Sequence, residues 1–140
     1  MKVHSSAPAT GQCGSGVLFM ALDTGRFLFV KRSPDSYSPN TWCCPGGGVE
    51  DYETIEQAAR REVSEEIGYS EPYDLVHIHR DVLPNGYVFH NHMAAVDHEF
   101  EPMLNHEHTD FRWSNTLPEN LHPGLERSIE AWQGRQGVDS

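Results

Sequence analysis

Residues 47 to 69 read Gly47-Gly48-Val49-Glu50-Asp51-Tyr52-Glu53-Thr54-Ile55-Glu56-Gln57-Ala58-Ala59-Arg60-Arg61-Glu62-Val63-Ser64-Glu65-Glu66-Ile67-Gly68-Tyr69, a glycine turn running into an amphipathic segment crowded with acid. The pattern predicts a helix from Thr54 to Gly68. Thr54 and Gln57 have capping-box spacing, in which each side chain satisfies an otherwise unpaired amide at the helix start. Gly68 supplies the left-handed stop. On a wheel of about 100° per residue, Ile55, Ala58, Ala59, Val63 and Ile67 form the apolar arc. Glu62 and Glu66 fall inside that arc, and Glu65 sits at its edge. Like charges at this spacing destabilise a helix, and burying them unpaired costs on the order of several kcal/mol more. A merely solvated acidic face would lie opposite Ile55 and Val63. Carboxylates beside a core face call for a counter-charge, and Mg²⁺ or Mn²⁺, hard cations that take oxygen ligands, supply it. Arg61 stands four residues before Glu65 and can hold that carboxylate. Upstream, Gly46, Gly47 and Gly48 permit close backbone approach and offer carbonyls and amides to a ligand.

Outward from this helix, short apolar runs alternate with turn residues. Val17 to Leu22 reads as a buried strand, Asp23-Thr24-Gly25 as a turn, and Arg26 to Lys31 as the second arm of a hairpin. Ser33 to Asn40 has loop composition, and Trp42 to Pro45 leads into the glycines. Beyond the helix, Tyr73 to Leu83 and Tyr87 to Asp97 are strand candidates around Pro84-Asn85-Gly86, where Asn-Gly signals a hairpin. A two-residue turn there pairs Pro84 with Tyr87 and sets His79 opposite His92. It places His77, His79, Asp81, His90 and His92 on one face, and Val76, Ile78, Val82, Phe89, Met93 and Ala95 on the other, the core face. The histidine face reads as a substrate-facing wall, as solvated surface or as a transition-metal site. Phe111 to Trp113 is a further short strand. Pro123 to Trp132 is a second amphipathic helix with Leu125, Ile129 and Trp132 on one face. Strands, helix, strands, helix in this order predict a mixed α/β or α+β sandwich.

The segment Gly47 to Tyr69 resembles the Nudix box, which reads G, five residues, E, seven residues, R-E, a bulky apolar residue, any residue, E-E, any residue, G and a bulky apolar residue. Gly47, Glu53, Arg61, Glu62, Val63, Glu65, Glu66 and Gly68 meet the pattern, and Tyr69 stands where an aliphatic residue is usual. The match covers 23 residues, and Trp42-Cys43-Cys44-Pro45-Gly46 resembles the family's lead-in. The resemblance implies an α/β/α sandwich around a mixed sheet, with the box forming a loop–helix–loop. It implies metal-dependent hydrolysis of a diphosphate linkage in a nucleoside diphosphate derivative, foremost a (deoxy)nucleoside triphosphate. Dinucleoside polyphosphates, ADP-ribose and nucleotide sugars are the alternatives, and a nucleotide-binding module without turnover is a further one. By position, Glu62, Glu65 and Glu66 correspond to the metal-binding and catalytic glutamates, and Glu53 to the box's first glutamate. The Gly46 carbonyl is a further ligand candidate, and Glu107, from a glutamate-bearing loop before Trp113, is another. Gly47, Gly48, His79, His90 and His92 are candidate substrate contacts.

Composition bounds these readings. The 140 residues fit a single domain, 1–140, in which residues 1–14 read as a flexible arm. Ten Lys and Arg against 21 Asp and Glu give a formal charge of −11. Such a surface repels a phosphate backbone, so broad nucleic-acid binding is not expected. A small phosphorylated nucleotide remains compatible, because bound metal inverts the local field. No apolar run approaches the roughly 20 residues a membrane span needs, and the start has no secretory pattern. Three cysteines, two of them adjacent, suit small buried apolar residues in a reduced, cytoplasmic setting. Oligomeric state is left open, a dimer included.

Overall fold

The computed structural model describes residues 12–36 and 38–139. Among them, seven strands form one mixed sheet: β1 (Cys13–Ala21), β2 (Phe27–Arg32), β3 (Trp42–Cys43), β4 (Gly46–Gly48), β5 (Val76–Val82), β6 (Val88–Val96) and β7 (His108–Ser114). The main path runs β3-β2-β1-β6-β5, with β4 paired to β1 and β7 paired to β2. β1 and β6 are parallel, and the other ladders are antiparallel. Helix α1 (Ile55–Ile67) covers one face and α2 (Pro123–Asp139) the other. The expected α/β/α sandwich is what these residues build.

Alternation explains the two layers. Val17, Phe19 and Ala21 of β1, with Leu28 and Val30 of β2, pack under Ala59, Val63 and Ile67 of α1. Leu18 and Phe29, the residues between, turn the other way and meet Leu125 and Ile129 of α2. A central strand buried on both faces has to be apolar nearly throughout, which is why residues 17–21 read as an unbroken run, whereas Leu22, past the strand's end, is exposed. Adjacent Cys43 and Cys44 divide in the same manner, one to each core, and both are free thiols.

Three sequence expectations need correction. Cys13 and Gly14, assigned to the arm, belong to β1, where Gly14 pairs with Gly48 on one side and Phe89 on the other. The lack of a side chain at Gly14 reflects crowding: a Cβ there would come within 2.6 Å of the Phe89 and Tyr87 side chains. The rest of the arm up to residue 11 lies outside the described residues.

The β5–β6 hairpin is closed by Leu83 N donating to Tyr87 O (2.8 Å) and Gly86 N to Leu83 O (2.9 Å). Its loop therefore holds three residues, Pro84-Asn85-Gly86, with Gly86 at φ 92°, and the register moves by one so that His79 faces Asn91. A second irregularity between His77 and His79 moves the register by one more residue, setting His77 opposite His92 where the two-residue turn would have set Ala94.

The predicted histidine face consequently splits. His77, His90 and His92 stay together, with His77 Nε2 and His90 Nδ1 2.9 Å apart and His77 edge-on to His92. His79 and Asp81 turn to α2, binding Ser128 (2.9 Å) and Arg127 (2.8 and 2.9 Å). Of the predicted core face, Ile78 and Met93 are buried, whereas Val76, Val82 and Ala95 are exposed. No helix among the described residues is long and apolar enough to cross a membrane.

Candidate active site

Helix α1 begins and ends where its capping residues dictate. Thr54 accepts from Gln57 N (3.1 Å), and the Gln57 side chain accepts from Thr54 N (2.9 Å), closing the capping box. Gly68, at φ 66°, terminates the helix and donates to Ser64 O. The last carbonyls are then taken by the segment that leads into β7: Met103 N donates to Ile67 O (2.8 Å) and Asn105 N to Glu66 O (3.2 Å). Helix ends leave these acceptors free, and this pairing ties residues 103–107 to the acidic end of α1.

Glu62 and Glu66 are buried, 8% and 1% exposed, on the side of α1 that faces β4. The backbone of β4 is turned to receive them. Val17 N donates to Pro45 O and Val49 N to Cys13 O, so the bonded positions of this antiparallel ladder alternate and leave Gly46 and Gly48 facing away from β1. Gly46 N donates to Glu66 Oε1 (3.1 Å), and Gly48 O accepts from Arg61 Nη2 (3.0 Å). In an extended residue the amide and carbonyl point to the same side, so the Gly46 carbonyl also faces the glutamates. At the neighbouring position a Cβ on Gly47 would meet the Glu62 carboxylate, so any larger residue there displaces that side chain.

Arg61 organises the remaining acid. Its Nε and Nη2 grip both oxygens of Glu53 (2.6 and 2.9 Å), while Nη1 lies 3.2 Å from Glu62 and 3.2 Å from Glu65. Glu53 also accepts from Glu50 N (2.9 Å), fixing the turn before the helix. Contact with Glu53, and the nearby charges of Glu62 and Glu65, raise the Arg61 pKa further. Glu65 is exposed, and Glu53 works as the holder of Arg61.

Glu66 is the strained member. Its Oε2 is buried without a hydrogen-bond partner. Burial first, then Glu62 and Glu107, push its carboxyl up to about 10, against a lowering by the Gly46 amide. Behind it sits His108, 6% exposed, with Nδ1 3.8 Å from Glu66 Oε1 and Nε2 3.8 Å from Cys43 Sγ. The buried His108 Nδ1 likewise has no hydrogen-bond partner. Burial and the Arg32 guanidinium bring the His108 pKa down to about 4, and burial pushes the Cys43 thiol up to about 12.

The structure thus brings Glu62, Glu65, Glu66, Glu53, Arg61, Gly46, Gly47 and Gly48 together, with Glu107 close enough to Glu66 to raise its pKa. His90 and His92 stand on β6, on the far side of β1 from β4, and His79 is on the opposite face of the sheet. His79 is thus set apart from the other candidate substrate contacts, a displacement that follows from the hairpin register. Among the described residues, no group of three or more His, Cys, Asp or Glu side chains is gathered as a ready-made cation cage. Cys43, His108 and Arg32 were not identified as a unit from sequence. The adjacent cysteines and the His106-Glu107-His108 cluster were visible but carried no spacing that joined them.

A family model described as NUDIX domain matches residues 14–132. A nucleoside triphosphatase, NudI, from Klebsiella pneumoniae is 34% identical over 104 residues, covering 64% of this chain and 72% of that protein. Among solved structures, the Nudix hydrolase RenU of M. smegmatis superposes with a TM-score of 0.70 at 24% identity, over 94% of this chain and 86% of that one. The MutT Nudix hydrolase of Burkholderia pseudomallei gives 0.63 at 24% identity, over 86% and 96%. These two likenesses speak to the fold.

Proposed function

The chain belongs to the Nudix family and is a Nudix hydrolase, and from that premise we propose that it cleaves the diphosphate linkage of a nucleoside triphosphate with the help of Mg²⁺ or Mn²⁺. The observation that carries the reading is Glu66, a buried carboxylate with one oxygen on the Gly46 amide and the other without a partner, beside buried Glu62. A buried orphan oxygen next to a like charge is a cost to the fold unless a cation completes it. Glu62, Glu66 and the Gly46 carbonyl would hold the metal, with Glu65 and Glu107 as further oxygen donors. A set this small fits Mg²⁺, which keeps several waters and binds through one or two carboxylates plus substrate phosphates. When bound, the metal neutralises phosphate oxygens and lowers the pKa of coordinated water.

The chain's own residues do the positioning. Arg61, clamped by Glu53, holds Glu62 and Glu65 in place, as outer partners of metal ligands commonly do. The Gly46 amide fixes the Glu66 rotamer. Glu65, exposed at the rim, has room to take the proton of the attacking water as the bridging P–O bond breaks. The nucleoside triphosphate assignment rests on the NudI relative. Incubation of the protein with nucleoside triphosphates and Mg²⁺ should release phosphate or pyrophosphate, chelator should stop it, and excess Mg²⁺ should restore it. Full turnover in metal-free buffer would overturn the metal assignment. Turnover of nucleotide sugars or dinucleoside polyphosphates alone would overturn the substrate class.

A further inference from the structure

Beside Glu66, His108 and Cys43 are buried in the core, with half-buried Arg32 on the neighbouring strand. His108 is held by its backbone, since His108 N donates to Asn105 O (3.3 Å) and the preceding residues are tied to the end of α1. Its ring lies between Glu66 Oε1 and Cys43 Sγ, 3.8 Å from each. Arg32, paired with His108 across β2 and β7, brings its positive charge close to both the Cys43 thiol and the His108 ring.

A thiol can donate to His108 Nε2 or accept from it, so this contact admits either tautomer and the other ring nitrogen decides between them. Nδ1 is buried, has no other partner and faces Glu66 Oε1, so a proton carried there meets an acceptor once Glu66 is ionised. The opposite tautomer would set a bare nitrogen lone pair against the oxygen of an ionised Glu66 carboxylate. We propose that His108 is a positioning residue of the metal site, its Nδ1–H supporting the Glu66 carboxylate from behind in a Cys43–His108–Glu66 relay. This rests on Glu66 being a metal ligand. The 3.8 Å separation is about 1 Å beyond a hydrogen bond. It closes by a small side-chain shift when Glu66 carries a full charge opposite a cation. Outer partners of this kind orient the ligand, and their loss typically weakens metal binding about 10- to 100-fold.

The test uses two readouts besides turnover. Long-range ¹H–¹⁵N spectra of the metal-free and the Mg²⁺-loaded protein report the His108 tautomer, and the proton is expected on Nδ1 in the loaded form. Mn²⁺ titration, followed by the signal of the free ion, gives metal affinity for the parent, His108→Leu, His108→Asn and Glu66→Gln. His108→Leu should bind Mn²⁺ at least about tenfold more weakly. His108→Asn, whose amide NH₂ overlays Nδ1–H, should restore most of that loss, which a purely space-filling role would not produce. If His108→Leu binds as the parent does while Glu66→Gln is impaired, the relay is wrong and the metal reading stands. If Glu66→Gln itself binds as the parent does, the metal reading fails and the relay with it. A proton on Nε2 in the loaded protein overturns the relay irrespective of affinity.

Discussion

Glu66→Gln removes a charge while keeping a shape, at a position where the charge is costly. In the folded, metal-free protein the Glu66 carboxyl is held protonated, up to about 10, by burial and by Glu62 and Glu107, whereas its ordinary value is 4.5. Folding at pH 7 therefore takes up a proton that the unfolded chain has released. The ordinary value lies about 2.5 pH units below neutral, and at about 1.4 kcal/mol per unit the penalty is roughly 3 kcal/mol. The folded value is the higher one, so this group's stabilising contribution is whole below 4.5 and drains away as pH rises toward 10. His108 has the opposite sign, its contribution present above 6.5 and lost as pH falls toward 4. A window from about pH 6.5 to 8.5 is thus governed by Glu66 and not by His108. Across it the parent should lose roughly 3 kcal/mol through this group, and the glutamine variant should not. Glutamine keeps a carbonyl oxygen for the Gly46 amide, so at neutral pH the variant should gain on the order of 2–3 kcal/mol, or roughly 5–10 °C in Tm. Denaturant unfolding in EDTA at several pH values measures this, with turnover in Mg²⁺ alongside, which should fall about 100-fold or more. Glu56→Gln, which loses only an exposed pair with Arg60 (2.9 Å), is the control and should leave both readouts nearly unchanged. A variant no more stable than the parent in EDTA, with the same pH slope, would refute the buried, protonated carboxyl. Parental turnover would refute its part in catalysis.

Arg61→Lys should lower kcat/KM by about 10- to 100-fold with a modest change in Tm, because one ammonium cannot grip Glu53 and reach Glu62, Glu65 and the Gly48 carbonyl at once; steady-state kinetics at saturating Mg²⁺ would disprove it by parental values. Gly47→Ala should weaken Mn²⁺ binding by displacing Glu62, and an unchanged titration curve would mean the carboxylate is free to move aside. Ile78→Asp should unfold the protein, and His79→Ala should cost about 1–2 kcal/mol by stripping Ser128 of a buried partner. Equal losses in denaturant melts would contradict the observed register.

How much of this was legible depends on the distance over which each signal acts. The capping box at Thr54 and Gln57, the stop at Gly68 and the placement of Glu62 and Glu66 on the core side are written within one helix, and all hold. The β5–β6 register hung on a single local choice, two loop residues or three. Pro84-Asn85-Gly86 satisfies either, and the difference moved His79 to the other face of the sheet. β4 was invisible as a strand because three glycines carry no β signal; pairing with β1 and the need to pass Glu62 closely explain it instead.

The partners of Glu66 were illegible for a different reason. Cys43 arrives through the pairing of β3 with β2, and His108 through the pairing of β7 with β2 together with the bonds from Met103 and Asn105 to the end of α1. No periodicity within a segment encodes such a meeting. What the sequence does hold is the demand for it. A carboxylate placed on the core side of α1 must be approached, when it carries charge, by donors that bring no competing anion. Only neutral or cationic side chains can pack at its back. His108, Cys43 and Arg32 meet that condition, whereas a carboxylate at position 108 would have set a second buried acid against Glu66. An exposed Glu107 lies near Glu66 as well, but where solvent or a cation can screen it. The order of the loop, histidine inward and glutamate outward, is therefore what leaves a buried acidic helix face open to the proposed metal.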